Sequence, residues 1–152
     1  MTAKELYQQF KESDFSTRWS YNGAPQFRDL LGKTIVDIYG AEDESDAIAL
    51  ICDDGSKYLM YHEQDCCEDV RVNDICGDVS CLLNTPLTKA EEVVDSTMEE
   101  GAPATEYEWQ TEPESYTWTF YHLATVKGYV TIRWYGESNG YYSESVDFVE
   151  VP

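Results

Sequence analysis

The fold is decided by YTWTFYHLATVKGYVTIRWY, residues 116–135. Aromatic and polar residues alternate through the first half of the segment 116–125, which is typical of a strand with one buried face. Lys127 and Gly128 then form a turn signal, and residues 129–135 predict a second strand. The stretch therefore predicts two long antiparallel strands joined by a tight turn.

Downstream of this stretch, the sequence predicts a third strand. Residues 137–140, ESNG, contain Asn139 and Gly140, the pair most typical of short hairpin turns. Residues 141–151 follow, with Val146, Phe148 and Val151 as the apolar positions. Three consecutive antiparallel strands predict a meander.

Upstream of residue 116, short apolar and β-branched segments alternate with turn signals. Four of them predict strands: 33–39, 47–52, 56–62 and 68–72. Residues 74–84 predict a turn or a helical turn. The segment 87–100 fits either a helix or a strand, and Val93 with Val94 favours the strand. Residues 101–115 predict a loop.

The N-terminus predicts a helix over residues 2–12, with Thr2 as its cap and Leu6, Tyr7 and Phe10 near one face. A chain of 152 residues fits a single folded unit. We therefore predict an α+β fold: a mainly antiparallel, twisted β-sheet of about six to eight strands with one N-terminal helix. Residues 1–29 would form the helix and an arm, and residues 30–152 a single β-rich domain.

The charge is strongly acidic. Thirty Asp and Glu against ten Lys and Arg give a formal charge of −20. Such a field repels nucleic acid and anionic membranes and attracts basic surfaces. The first residues lack the apolar core of a signal peptide, and no apolar run approaches the length of a membrane span. The sequence thus predicts no membrane association and no direct binding to nucleic acid.

The acids are concentrated in intervals without bases. No Lys or Arg lies between Lys89 and Lys127, and the loop at 41–46 is a second acidic patch. We predict that these two patches contact a basic protein; a solvated acidic surface is the alternative. The predicted contact residues are Glu91, Glu92, Asp95, Glu99, Glu100, Glu106, Glu108, Glu112 and Glu114, with Glu42, Asp43, Glu44 and Asp46.

The stretch 62–78, HEQDCCEDVRVNDICGD, contains the residues best suited to chemistry. No Cys-x-x-Cys pair is present, and Cys66 and Cys67 in an extended segment would point to opposite faces. Neighbouring acids would also raise the pKa of a thiol. The sequence therefore predicts neither a metal site nor another cofactor, but a structural crossover. In it Cys66, Cys76 and His62 would pack or hydrogen-bond inward, and Glu63, Glu68 and Asp69 would face water.

Cysteine usage predicts reduced thiols, because the five cysteines are odd in number and no export signal is present. Cys52, in AIALIC, predicts a small core residue. The chain has no nucleophile elbow, phosphate-binding loop or HExxH motif, so no enzyme is predicted. The alternative is a metal-dependent or hydrolytic enzyme centred on His62, Asp65 and Cys66.

Three segments resemble an uncharacterised family of domains found mostly in tailed bacteriophages and prophages. They are GKTIVDI at 32–38, the stretch 62–78 with its HxQDCCE motif, and 115–148 with its SYTWTFY…GYVTIRWYGESNGYYSE motif. The resemblance covers roughly residues 30–151. It implies a phage-type protein acting in the cytoplasm of a bacterial host, and it carries no established activity.

Charge and resemblance together predict a phage-encoded, non-enzymatic acidic binding protein. It would inhibit a host or bacterial defence protein, such as a CRISPR or restriction effector, by mimicking nucleic acid on a basic DNA- or RNA-binding surface. A phage structural or assembly protein is a further alternative. A homo-oligomer is compatible with each of these functions.

Overall fold

A computed structural model describes residues 1–12, 25–64, 66–95, 115–140 and 142–151. In these parts of the chain one α-helix is followed by eight strands. Two single-turn 3-10 helices, Phe27–Leu30 and Val79–Leu82, lie between them. The elements are α1 (Ala3–Glu12), β1 (Ile35–Tyr39), β2 (Ala47–Cys52), β3 (Lys57–Tyr61), β4 (Asp69–Cys76), β5 (Lys89–Asp95), β6 (Ser115–Thr125), β7 (Gly128–Ser138) and β8 (Asp147–Val151).

The strands form two four-stranded antiparallel sheets. The first sheet has the order β1-β2-β3-β8, and the second has the order β4-β7-β6-β5. The predicted mainly antiparallel α+β fold is thus confirmed, with its strands divided between two sheets. The predicted pair of long strands is β6 and β7, with Trp118 opposite Tyr135 and Thr125 opposite Gly128.

The predicted meander is wrong in its third strand. β8 pairs with β3 in the first sheet, where Phe148 lies opposite Met60. Glu144 shows why the chain leaves β7: its buried carboxylate accepts hydrogen bonds from Thr117 and Ser138, and its carbonyl would lie 2.8 Å from a Cβ at Gly136. The chain therefore folds back over the end of the second sheet before it crosses to the first.

The main core lies between the two sheets. Ile48, Leu50 and Met60 from the first sheet form one apolar cluster with Ile132 and Trp134 from the second. These residues alternate along their strands with residues on the opposite face, as sheet geometry requires. The alternation in the sequence therefore identifies which side chains of β7 face the core.

Helix α1 covers the outer face of the first sheet. Thr2 Oγ1 accepts from the amide of Glu5 at 3.1 Å, and Glu5 Oε2 accepts from the amide of Thr2 at 3.2 Å, which makes a capping box. Leu6 and Phe10 are buried there together with Ala47, Ala49, Leu59, Tyr61, Val149 and Val151. The predicted helix and its cap are confirmed, and β2 is apolar throughout because both of its faces are buried.

β4 is longer than the predicted strand 68–72. Its register shifts between Val72 and Asp74, and pairing with β7 then continues to Cys76. At the irregularity, the Asn73 side-chain oxygen accepts from the Arg133 guanidinium at 2.9 and 2.6 Å. A bulge of this kind bends a strand without ending it. The predicted helical turn is confined to Val79–Leu82.

Gly77 joins β4 to this turn and gives a testable prediction. Its φ is +106°, and a Cβ there would lie 2.4 Å from the carbonyl oxygen of Tyr129. We expect Gly77→Ala to lower the free energy of unfolding by about 2–4 kcal/mol, measured by urea denaturation, because strain and a backbone clash add.

Gly55→Ala is the matched control for Gly77→Ala. Gly55 has a φ of +86° and nothing within 4 Å of an added Cβ, so only conformational strain of about 1 kcal/mol is expected. Equal losses in the two variants would contradict the close approach of Gly77 to Tyr129.

Candidate functional site

Three of the predicted contact acids lie on β5, an edge strand of the second sheet. β5 pairs with β6 on one side, and no other strand of the described chain lies beside it. Glu91 and Glu92 are exposed, and so are Val93 (45%) and Val94 (59%). The strand interpretation of Val93 and Val94 is confirmed. β5 thus presents carboxylates and apolar side chains together on an edge strand of the described sheet.

The other predicted acids of this interval lie outside the described residues. They are Glu99, Glu100, Glu106, Glu108, Glu112 and Glu114. The predicted loop at 101–115 lies there too, apart from Ser115, which begins β6. Residues 13–24 of the predicted arm are likewise outside the described part of the chain.

The second predicted patch lies elsewhere. The amide of Glu44 donates to the carbonyl of Val72 at 2.8 Å, which ties the 41–46 loop to β4. β4 and β5 are the two opposite edges of the second sheet, about 14 Å apart over three strand spacings. For the described residues, the structure therefore places the acids of β5 and those of the 41–46 loop at opposite edges of the second sheet.

Two acids of the 41–46 loop are also paired with bases. Glu44 Oε2 lies 3.0 Å from Arg71 Nε, and Asp46 forms an ion pair with Lys11. Glu42 and Asp43 remain exposed. Pairing reduces the negative field of this loop. β5 has an ion pair too, since Lys89 Nζ lies 3.6 Å from Glu91 Oε2, but β5 also exposes Val93 and Val94 and is therefore the stronger candidate among the described residues.

A cavity of about 390 Å³ opens beside β5. Its walls include Phe27 and Arg28 from the first 3-10 turn, Glu92 from β5, and Asp147 and Phe148 from β8. The cavity lies where the edge of the second sheet meets β8 of the first. Sequence reasoning singled out Glu92 but not its convergence with Asp147, since these residues are far apart in the chain.

Tyr121 is a neighbour of two residues of the cavity wall. It is directly opposite Glu92 in the β5–β6 register and packs on Phe27 with ring centroids 4.6 Å apart. Its side chain is fully buried, and among the described residues its hydroxyl has no hydrogen bond of normal geometry. Burial raises the pKa of Tyr121, and the negative charges of Glu92 and Asp147 raise it further. The phenol therefore stays neutral beside the two carboxylates.

The stretch 62–68 connects β3 of the first sheet to β4 of the second, so the predicted crossover is confirmed. His62 faces inward as predicted: its side chain is 3% exposed, its Nδ1 lies 2.8 Å from the carbonyl oxygen of Ser145, and its Nε2 lies 3.7 Å from Glu68 Oε1. Glu68 is buried, contrary to its predicted exposure, and Oε1 accepts from the amide of Cys66 at 2.9 Å. The buried carboxylate thus holds the crossover in shape.

The cysteines differ from prediction in this stretch. Cys66 and Cys67 are bonded to each other and exposed, so the predictions of opposite-facing, reduced thiols and of an inward Cys66 are wrong. Cys76 is exposed rather than packed inward. Alternation along a regular strand fails here because residues 62–64 and 66–68 are not in a strand. Cys52 is buried in the core as predicted, and burial raises the pKa of its thiol.

The alternative site at His62, Asp65 and Cys66 is only partly described. Asp65 is outside the described residues, and Cys66 is bonded to Cys67. Within the described ranges, no three His, Cys, Asp or Glu side chains converge as metal ligands. None of the described helices has the length and apolar character needed to cross a membrane.

Comparison with known proteins places the chain in a family. No curated protein and no solved structure matches it. A family model described as a domain of unknown function (DUF7448) matches residues 28–148, which include β1 to β7 and the first two residues of β8. The chain therefore belongs to the DUF7448 family of domains of unknown function.

Proposed function

We propose that this protein is a phage-encoded, non-enzymatic inhibitor that occupies the basic, nucleic-acid-binding surface of a host or bacterial defence protein. The observation that carries the proposal is the exposed surface of β5, where Glu91 and Glu92 lie next to exposed Val93 and Val94. The carboxylates of β5 attract a basic surface, and its apolar side chains add contact area.

The negative charge of the protein cannot be neutralised internally. Thirty acids and ten bases leave at least twenty acids without a base of their own. Five of the bases have acidic neighbours within 4.0 Å: Lys11, Lys33, Arg71, Lys89 and Arg133. One of these pairs, between Lys89 and Glu91, is on β5 itself, and the excess of acids over bases keeps the field of the protein negative.

The acids of β5 lie on both faces of the strand. Because successive side chains of a strand point to opposite faces, Glu92 lies on one face and Glu91 and Asp95 lie on the other. The phage context comes from the resemblance of the sequence motifs, and it supports action in the cytoplasm of a bacterial host.

Salt dependence tests the proposal. The immobilised protein would be used to isolate its partner from a bacterial lysate, and the purified partner would then be titrated against it at about 0.1 M and 1 M NaCl. Because the Debye length falls from about 10 Å to about 3 Å, we expect the affinity to fall at least about tenfold. A complex with the same affinity at both concentrations would contradict the electrostatic mechanism.

A further inference from the structure

We propose that the cavity beside β5 is a binding site for an arginine side chain. This inference rests on the proposed function, because the arginine would be supplied by the basic partner. The cavity is large enough for a guanidinium group, with about 390 Å³. Its wall offers carboxylates from two different sheets, Glu92 and Asp147, and the aromatic rings of Phe27 and Phe148.

The chemistry of the wall favours a guanidinium over an ammonium. A guanidinium is planar, donates in a fork to carboxylate oxygens and packs flat on aromatic rings. Phe27 and Phe148 form the apolar part of this wall, with their ring centroids 5.5 Å apart. An ammonium is a more strongly hydrated point charge and gains less from such a wall.

Tyr121 provides an observation independent of the acidic charge. A fully buried hydroxyl without a hydrogen bond of normal geometry is costly, and this one belongs to the residue opposite Glu92 in the β5–β6 register. Both carboxylates that influence its pKa are cavity residues. We infer that Tyr121 is a positioning residue: it donates to Glu92 when the carboxylate turns inward to meet a bound guanidinium.

Asp147 is already held in place. Its Oδ2 accepts a hydrogen bond from the amide of Glu63 at 2.9 Å. This contact fixes one carboxylate oxygen and leaves the other for a ligand. Asp147 is half-buried, so its charge is less screened than a fully exposed one.

The positive charge of Arg28 disfavours a cationic ligand in the cavity and favours an anionic one. Removing this charge therefore distinguishes the two kinds of ligand. It is exposed at the wall of the cavity and makes no ion pair with the described residues. If the cavity takes a guanidinium, removing the Arg28 charge should strengthen binding. If the cavity takes a carboxylate or a phosphate, the same change should weaken binding.

The test is a titration of the full chain with argininamide, followed by protein NMR shifts, with lysinamide as the comparison ligand. We expect saturable binding, with shifts at Glu92 and Asp147, and weaker binding of lysinamide. Glu92→Gln should weaken argininamide binding about tenfold, because one charge-assisted contact is lost. Arg28→Gln should strengthen it about twofold.

Glu91→Gln is the matched control, since it removes the same charge from the opposite face of β5. We expect it to change the affinity less than about twofold. Tyr121→Phe should weaken binding and reduce the preference for argininamide over lysinamide, which a purely structural role would leave unchanged. Equal weakening by Glu91→Gln and Glu92→Gln, or weaker binding by Arg28→Gln, would overturn the inference.

The outcome of this experiment is independent of the outcome of the salt test of the proposed function. A salt-sensitive partner complex without any argininamide binding would refute the cavity site alone. Argininamide binding with the expected variant effects, but with a salt-insensitive partner complex, would refute the proposed function and leave a guanidinium site.

Discussion

Trp134→Ala is expected to lower the free energy of unfolding by about 3–5 kcal/mol, the usual cost of removing a buried aromatic ring. Trp134 is 1% exposed and lies in the cluster between the two sheets, with Val72 opposite it on β4. The loss is large because the two sheets are held apart by their other side chains and cannot close over the void. Many domains have a total stability of only about 5–15 kcal/mol.

Urea unfolding followed by circular dichroism would measure this loss. Tyr129→Ala is the control, because Tyr129 is also an aromatic residue of β7 but is 47% exposed on the outer face. We expect it to cost about 1 kcal/mol or less. A loss for Trp134→Ala no greater than that for Tyr129→Ala would contradict the placement of the core between the sheets.

Removing the charge of β5 should have the largest effect on partner binding. We expect the triple variant Glu91→Gln, Glu92→Gln, Asp95→Asn to bind the purified partner about tenfold or more weakly, since each exposed ion pair contributes up to about 1 kcal/mol. The weakening should shrink at about 1 M NaCl, where charges are screened within about 3 Å. Isothermal titration calorimetry at the two salt concentrations measures both effects.

A second triple variant, which loses the same number of acids elsewhere, distinguishes a contact through β5 from an effect of net charge. Glu12→Gln, Asp53→Asn, Glu150→Gln also removes three exposed acids, but from α1, the β2–β3 turn and β8. We expect this variant to bind within about threefold of the wild type. Equal weakening by the two triple variants would mean that net charge, and not the β5 edge, determines binding.

Local signals predicted the local structure correctly. The capping residues Thr2 and Glu5 and the apolar spacing of α1 act within one helical turn, and the alternation through 116–135 acts within one strand pair. Such patterns depend on neighbouring residues only, so the sequence contains them directly. The turn at Gly55 is also a local feature, in which the amide of Cys52 donates a hydrogen bond to the carbonyl oxygen of Ser56.

Non-local packing could not be predicted in the same way. Asn139 and Gly140 are typical of a hairpin, yet β8 pairs with β3 because Phe148 fits between Tyr58 and Phe27 in the core. Glu68 looked like a surface acid, but the amide of Cys66 and the nearby His62 make its burial tolerable. In both cases the contacting residues are determined by tertiary structure, which the spacing of residues along the sequence does not show.

The candidate site shows the same division. The base-free interval that contains Glu91 and Glu92 is visible in the sequence. The cavity is not, because Phe27, Glu92 and Asp147 come from three separate parts of the chain. Tyr121 gave no signal of its own, since it occupies an ordinary inward position of a strand.

Competition with nucleic acid is the most direct test of the central claim that the acidic β5 edge occupies a nucleic-acid-binding surface. The purified partner would be bound to labelled double-stranded DNA or RNA at about 0.1 M NaCl and titrated with the protein, with the β5 triple variant in parallel. We predict that the wild type displaces the nucleic acid and that the variant requires at least about tenfold more protein. Simultaneous binding of protein and nucleic acid to the partner, with no displacement at saturation, would contradict the account.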